Sequence, residues 1–263
     1  MLPFFVSRYT TDLLYTFELI FAVAICISCI IVALLKKDKA PLLVFLLTTA
    51  FHSTVEIIAQ GMGTRVVETT LLFGVIPVGY PFIPIIMGLF EGGLVGLSGL
   101  LFMRCIIYKD KFAFKYFLLI IAILLFFEIS GYLMITRMLL TNPAELEITR
   151  RQIFSEGGII VLIVMYSVSV IGILPWKSIP RKIKFGLLYY YLGIVLISLC
   201  MIIPLHVGGI RYIEYFNGVS YSRVNIFLDI LIMYGYNGLV ESAGFFMGYY
   251  VIFYYLKLLK DRK

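Results

Sequence analysis

Seven long apolar runs constrain this chain more than any other feature. They fall at about residues 12–35, 41–63, 82–107, 115–138, 156–175, 184–206 and 233–257. Each approaches or exceeds the roughly 20 residues an α-helix needs to cross the hydrocarbon of a bilayer. In lipid a backbone must satisfy its own hydrogen bonds, so runs of this length are expected to be helices. Charge agrees with hydropathy: 14% of residues are charged and mean hydropathy is +1.02, against roughly 25% charged in a soluble domain. The expected fold is all-α, one polytopic transmembrane domain over 1–263 forming a seven-transmembrane-helix bundle. The stretch 223–234, with Asn225 and Asp229, leaves three readings open: interfacial, re-entrant, or part of the last span.

The loops set the orientation. One set, with the C-terminal tail, holds Lys36, Lys37, Lys39, Lys109, Lys111, Lys115, Lys177, Arg181, Lys182, Lys184, Lys257, Lys260, Arg262 and Lys263. The other holds Arg8, Arg65, Arg150, Arg151, Arg211 and Arg223 and not one lysine. Basic loops stay in the cytoplasm, so the N-terminus is expected outside and the C-terminus inside. The net charge of +7 sits in short loops and gives no nucleic-acid signal. Cys26, Cys29, Cys105 and Cys200 lie in or beside apolar runs and read as small buried hydrophobes rather than a disulfide framework. No cleavable leader is evident in "MLPFFVSRYTTD".

Acids inside the runs carry the functional signal. Glu18, Glu56, Glu91, Glu128, Glu156 and Glu241 all fall in the outer half or near the midplane when each run is laid out at about 1.5 Å per residue. An ionisable side chain facing lipid costs about 2.5–3.5 kcal/mol at mid-helix on insertion scales. A shared water-accessible cavity removes that cost, and it is the expectation here. Polar neighbours sit one turn away from three of the acids: His52 and Gln60 flank Glu56, Asn237 precedes Glu241, and Tyr132 follows Glu128. The catalytic candidates are therefore Glu56, Glu241, His52, Glu91 and Glu128. Candidate substrate-binding residues are Gln60, Tyr132, Asn237 and Gly92. Gly88, Gly92 and Gly96 form a small-xxx-small stripe, as do Gly244 and Gly248, which reads first as close helix packing. Glu18 and Glu156 read as rim residues, His206 as a loop-edge residue, and Arg104 as a side chain reaching up to the headgroups.

Several chemistries lack their residues. Two histidines, His52 and His206, are too few for a three-histidine zinc hydrolase. The last run has no lysine before Lys257 for a retinal Schiff base. No Walker A, GxSxG, HExxH or paired-cysteine motif is present.

"HSTVE" (52–56) in the second run and "VESAG" (240–244) in the last resemble the two acidic places of the small seven-span integral-membrane terpene cyclases, although Val55 stands where those proteins carry an aromatic residue. "HSTVE" also resembles the His-x-x-x-Glu of sterol-isomerase-like membrane proteins, which have fewer spans. Both resemblances imply intramembrane acids acting on a lipophilic prenyl or polycyclic substrate. The expected activity is thus a cyclase or isomerase: Glu56 or Glu241 protonates an alkene or epoxide, aromatic faces steady the cation, and His52 or another carboxylate takes a proton back. Neither a metal nor an organic cofactor is called for, and the expected partner is a membrane lipid or lipophilic small molecule. The alternative is a proton- or cation-coupled transporter or channel using the same acids.

Overall fold

Each of the seven apolar runs is helical in the computed structural model, which describes residues 3–63, 65–66 and 69–259, without the side chains of Asp12, Val66 and Glu145. Lys260, Arg262 and Lys263 of the basic tail lie outside the described residues. Six helices are long and apolar enough to cross a membrane: Leu13–Leu35 within α1 (Asp12–Leu35), α2 (Ala40–Gly61), α3 (Phe82–Ile107), α4 (Lys111–Thr141), α5 (Glu156–Ile173) and α6 (Arg181–Val207). The last run forms α7, helical turns over 226–255 made of Ile226–Ile230, Leu231–Glu241, Ser242–Met247 and Tyr249–Tyr255. The side chain of Asn225 caps its first turn by accepting from the Leu228 N–H at 2.9 Å, so 223–234 leads straight into helix.

α3 runs through the middle of the bundle against α2, α4 and α6. Its glycines explain the fit. A Cβ on Gly92 would stand 2.5 Å from the His52 Cβ and 2.8 Å from the Thr48 carbonyl oxygen, and one on Gly88 would meet the Ser53 backbone nitrogen at 2.7 Å. The stripe is the track on which α2 lies. Gly244 does the same against Leu162 and Tyr166 of α5. Outward faces stay apolar, with Leu34, Phe126, Leu133 and Ile171 exposed, as a lipid-facing surface requires.

Two stretches depart from α geometry. Gly88–Gly93 in α3 and Leu231–Glu241 in α7 wind as π-helix. Such turns are rare and gather at functional sites. Glu91 lies in the first, and Asn237 and Glu241 in the second.

Sequence reading treated the connections at the arginine end as loops; they form a sheet. Strands β1 (Phe4–Thr10), β2 (Arg65–Val66), β5 (Glu147–Ile153), β6 (Arg211–Phe216) and β7 (Tyr221–Arg223) pair in the order β2-β5-β1-β6-β7, antiparallel throughout. A separate hairpin, β3 (Thr70–Leu72) with β4 (Ile76–Val78), packs Leu72 against Tyr15, Ile83 and Met87. Register decides which side chains face the bundle. Val6 stands opposite Arg151 and Ile213, Arg65 opposite Arg151, and Arg8 opposite Thr149 and Arg211. Opposite partners share a face, as do residues two apart. Arg8, Arg65, Arg151 and Arg211 therefore share one face with buried Val6 and Ile213, the face laid on the helices. Arg150 is on the other face and pairs with Glu214 at 3.0 Å, which also accepts from the Ser7 hydroxyl at 2.6 Å.

At the opposite end the chain closes with a buried ion pair. Arg104 does not reach to a headgroup; it is buried, binds Asp38 at 2.6 Å and donates to the Leu258 carbonyl at 3.1 Å. His206 sits in the last turn of α6, at the loop edge as expected, but it is not idle there. Its Nδ1 meets the Tyr234 hydroxyl at 2.6 Å and its Nε2 lies 3.4 Å from Asp229, whose other oxygen accepts from the Ile213 N–H.

Candidate functional site

Where the sheet lies on the bundle, a cavity of about 110 Å³ remains. From the helices it is lined by His52, Glu56, Glu91, Asn237 and Glu241, and from the sheet by Arg8, Arg65, Arg151 and Arg211. Phe245 and Phe246 add an apolar wall. Four of the five catalytic candidates thus converge. Glu128 is buried on α4 but is not a lining residue, and Tyr132 covers Gly208 instead of joining it. Gln60 faces Met87, its Nε2 lying 3.8 Å from the sulfur, and Gly92 faces α2. Of the substrate-binding candidates only Asn237 reaches the cavity. Glu156 is exposed at the start of α5, as expected of a rim residue, whereas Glu18 is fully buried with Arg8 at 3.5 Å.

Two clusters make up the site. In the first, on α2 and α3, the His52 Nε2 lies 3.6 Å from Glu56 Oε1 and 3.5 Å from Glu91 Oε2. Helical spacing of four residues brings the first pair together, and the π turn of α3 brings Glu91 to the same point. The imidazole stacks on Phe246, with ring centroids 5.5 Å apart and planes 18° apart, which fixes its orientation. Arg65 crosses from the sheet and binds Glu56 Oε1 at 2.7 Å, with Glu91 Oε1 at 3.8 Å. Glu56 Oε2 and His52 Nε2 are buried and have no hydrogen-bond partner.

In the second cluster, Arg151 reaches from β5 to α7. Its two terminal nitrogens hold both oxygens of Glu241, at 2.7 and 2.9 Å, and one also donates to the side-chain Oδ1 of Asn237 at 2.9 Å. Asn237 and Glu241 are joined through this guanidinium and not to one another. Burial alone would lower the Arg151 pKa, but the charge and hydrogen bonds of Glu241 outweigh it and hold the group above its ordinary value.

Arg211 has no such acid. Among the described residues no carboxylate lies within ion-pair distance of it, and its Nε is buried without a hydrogen-bond partner. Burial, then the charges of Arg8 and Arg151, push its pKa down. A guanidinium keeps its proton in a protein, so that push is a cost carried by the fold and not a loss of charge.

Below the cavity the bundle is filled. Phe45, Leu97, Leu100, Leu101, Tyr190, Tyr250 and Phe253 are fully buried between the site and the lysine-rich end. To one side, Ile159, Leu162, Ile163 and Tyr166 of α5 and Tyr236 and Val240 of α7 line a second, apolar hollow of about 360 Å³. Tyr236 and Val240 are the immediate neighbours of Asn237 and Glu241.

The arginines are what reading for acids missed. Their signal was an end of the molecule whose loops carry arginine and never lysine. Arginine's planar fork suits paired, partly buried recognition of oxyanions, which a flexible lysine does not match. No protein-family model, characterised protein or solved structure matches this chain, so the chemistry of the site rests on its own geometry.

Proposed function

We propose that this chain is a seven-span membrane protein, with the sheet end and N-terminus outside and the lysine end in the cytoplasm, and that it is an enzyme acting on a lipophilic molecule with an anionic end. The single observation that carries the reading is Arg211: a partly buried cation, its Nε shielded and unpartnered, with no carboxylate in ion-pair distance among the described residues, in a cavity it shares with His52, Glu56 and Glu91. A carboxylate or phosphate in the cavity supplies the missing partner and makes charge-assisted hydrogen bonds to the guanidinium. The apolar hollow between α5 and α7 suits a hydrocarbon tail, prenyl or sterol-like, entering from the lipid.

Geometry ranks the acids. Both oxygens of Glu241 already accept from Arg151, so Glu241 serves to hold the sheet on the bundle. Glu56 keeps Oε2 without a hydrogen-bond partner, and so does the His52 Nε2, which lies 3.6 Å from Glu56 Oε1. We assign Glu56 and His52 the proton-transfer roles, within hydrogen-bond reach of a substrate atom in the cavity. The transporter reading has less support, because the apolar packing beneath the cavity offers no polar path to the other end.

Binding tests the reading first. Native mass spectrometry of the purified chain is expected to show retention of farnesyl phosphate or oleate, at least about tenfold loss for farnesol or oleyl alcohol, and no such preference in Arg211→Met. Equal retention of charged and uncharged ligands by the wild-type chain sinks the proposal. For activity, membrane lipid extract treated with wild-type protein should show a product by mass spectrometry that Glu56→Gln fails to make.

A further inference from the structure

We propose that His52, Glu56 and Glu91 form a binding site for one divalent metal ion, of the Mn²⁺, Fe²⁺ or Zn²⁺ kind. One ligand atom from each of the three residues lies within 4.8 Å of the other two. The His52–Glu91 distance is that of a first coordination shell: two donors about 2.1 Å from an ion at a tetrahedral angle stand about 3.4 Å apart, and His52 Nε2 stands 3.5 Å from Glu91 Oε2. A protonated imidazole linking two carboxylates would sit closer, at about 2.8 Å.

Hydrogen bonding points the same way independently. His52 Nε2 and Glu56 Oε2 are both shielded from solvent and both lack a partner, on residues only 9% and 5% exposed. Buried polar atoms are seldom left so, and an ion is one of the few occupants that satisfies both a nitrogen lone pair and a carboxylate oxygen. Arg65 uses the opposite oxygen of Glu56, Oε1, and lies on the Oε1 side of Glu91 as well. It thus acts as an outer partner that orients the two carboxylates while leaving their Oε2 atoms free. Stacking on Phe246 holds the imidazole in place. One imidazole with two carboxylates suits the borderline and harder divalent ions and not Cu⁺.

The expectation from the sequence was no metal, because two histidines and no HExxH offer neither a histidine set nor a fixed motif. This set has one histidine, a carboxylate four residues on, and a third ligand from a π turn on another helix. An ion here would take the His52 and Glu56 atoms assigned above to proton transfer, so in the metal-bound chain those residues hold the ion, which faces the same cavity as Arg211 and would contact the anionic end of a substrate. That consequence rests on the proposed function, whereas the site itself does not.

The test is metal uptake by the full chain in detergent, stripped with chelator and titrated with Zn²⁺, Mn²⁺ and Mg²⁺, with Co²⁺ as an optical probe. One equivalent is expected, with d–d bands of a nitrogen–oxygen site. Glu56→Gln and Glu91→Gln are each expected to weaken binding at least about tenfold. Arg211→Met is expected to keep metal binding within about threefold while losing anion retention, which separates this site from the anion reading. Absence of uptake by folded wild-type protein overturns the proposal, and so does equal uptake by the two glutamine variants. Should those variants fail to fold, Arg65→Gln decides. Its ligands are intact but the partner that orients them is gone, so affinity is expected to fall at least about tenfold, and unchanged affinity in the folded variant overturns the proposal.

Discussion

The Arg211 side chain sets a cost in stability against the anion binding proposed for it. Its partly buried charge is opposed by neighbours of the same sign, so it burdens the fold when no anion is present. Arg211→Met is therefore expected to raise the melting temperature of the ligand-free protein by a few degrees, about 1 kcal/mol, while abolishing stabilisation by added anion. A fall in melting temperature would show that Arg211 has a partner which supports it. Gly92 makes the opposite case. An added methyl has no space between the His52 Cβ and the Thr48 carbonyl, so Gly92→Ala is expected to cost about 1–3 kcal/mol and to displace His52. Thermal unfolding in detergent checks it, and a change under about 0.5 kcal/mol would mean the helices can part at no expense. Legibility differed between these residues for a physical reason. Spacing along a helix is fixed, so His52 beside Glu56 could be read directly. Which atoms Gly92 touches depends on the neighbouring helix, which spacing does not specify.

Between elements, one guanidinium clasps sheet to bundle. Arg151 on β5 holds Asn237 and Glu241 on α7. Removing one partner strands a buried charge, which costs about 3–5 kcal/mol, whereas removing both together can be close to neutral. Arg151→Met is accordingly expected to lower the melting temperature more than the double variant Arg151→Met/Glu241→Met does. The reverse order would deny the clasp. Helix ends were legible to within a few residues because hydropathy alone separates lipid-soluble turns from the rest: 82–107 is Phe82–Ile107, and 156–175 is Glu156–Ile173. The strands were not. β1 is seven residues and β2 only two, and "EITRRQI" has a weak alternation that becomes a pattern only when Arg151 is set opposite Val6 and Arg65. The π turns were hidden too, since Leu231–Glu241 is as apolar as an ordinary helix.

For the molecule as a whole, the two ends are chemically unlike. The arginine end carries a sheet and a polar cavity, and the lysine end closes on the Asp38–Arg104 pair. With the proposed orientation, an amine reagent that cannot cross membranes should modify no lysine side chain in sealed cells and many of them after permeabilisation. Peptide mapping by mass spectrometry reads this, and a modified lysine in sealed cells would reverse the topology. The number of spans and the side from which the site is reached both turn on that result.

The sheet also dictates when the site comes into being. Its central strand, Phe4–Thr10, lies ahead of the first helix, yet its two partners are Glu147–Ile153 and Arg211–Phe216. During synthesis the earliest strand must wait until four helices, and then two more, have been made. Arg211 arrives on the later of those partners, and Glu241 later still. No partly made chain holds a closed cavity, so the charges of the unfinished site face water until the last helix is delivered. Completion of the chain is thus the event that closes the cavity.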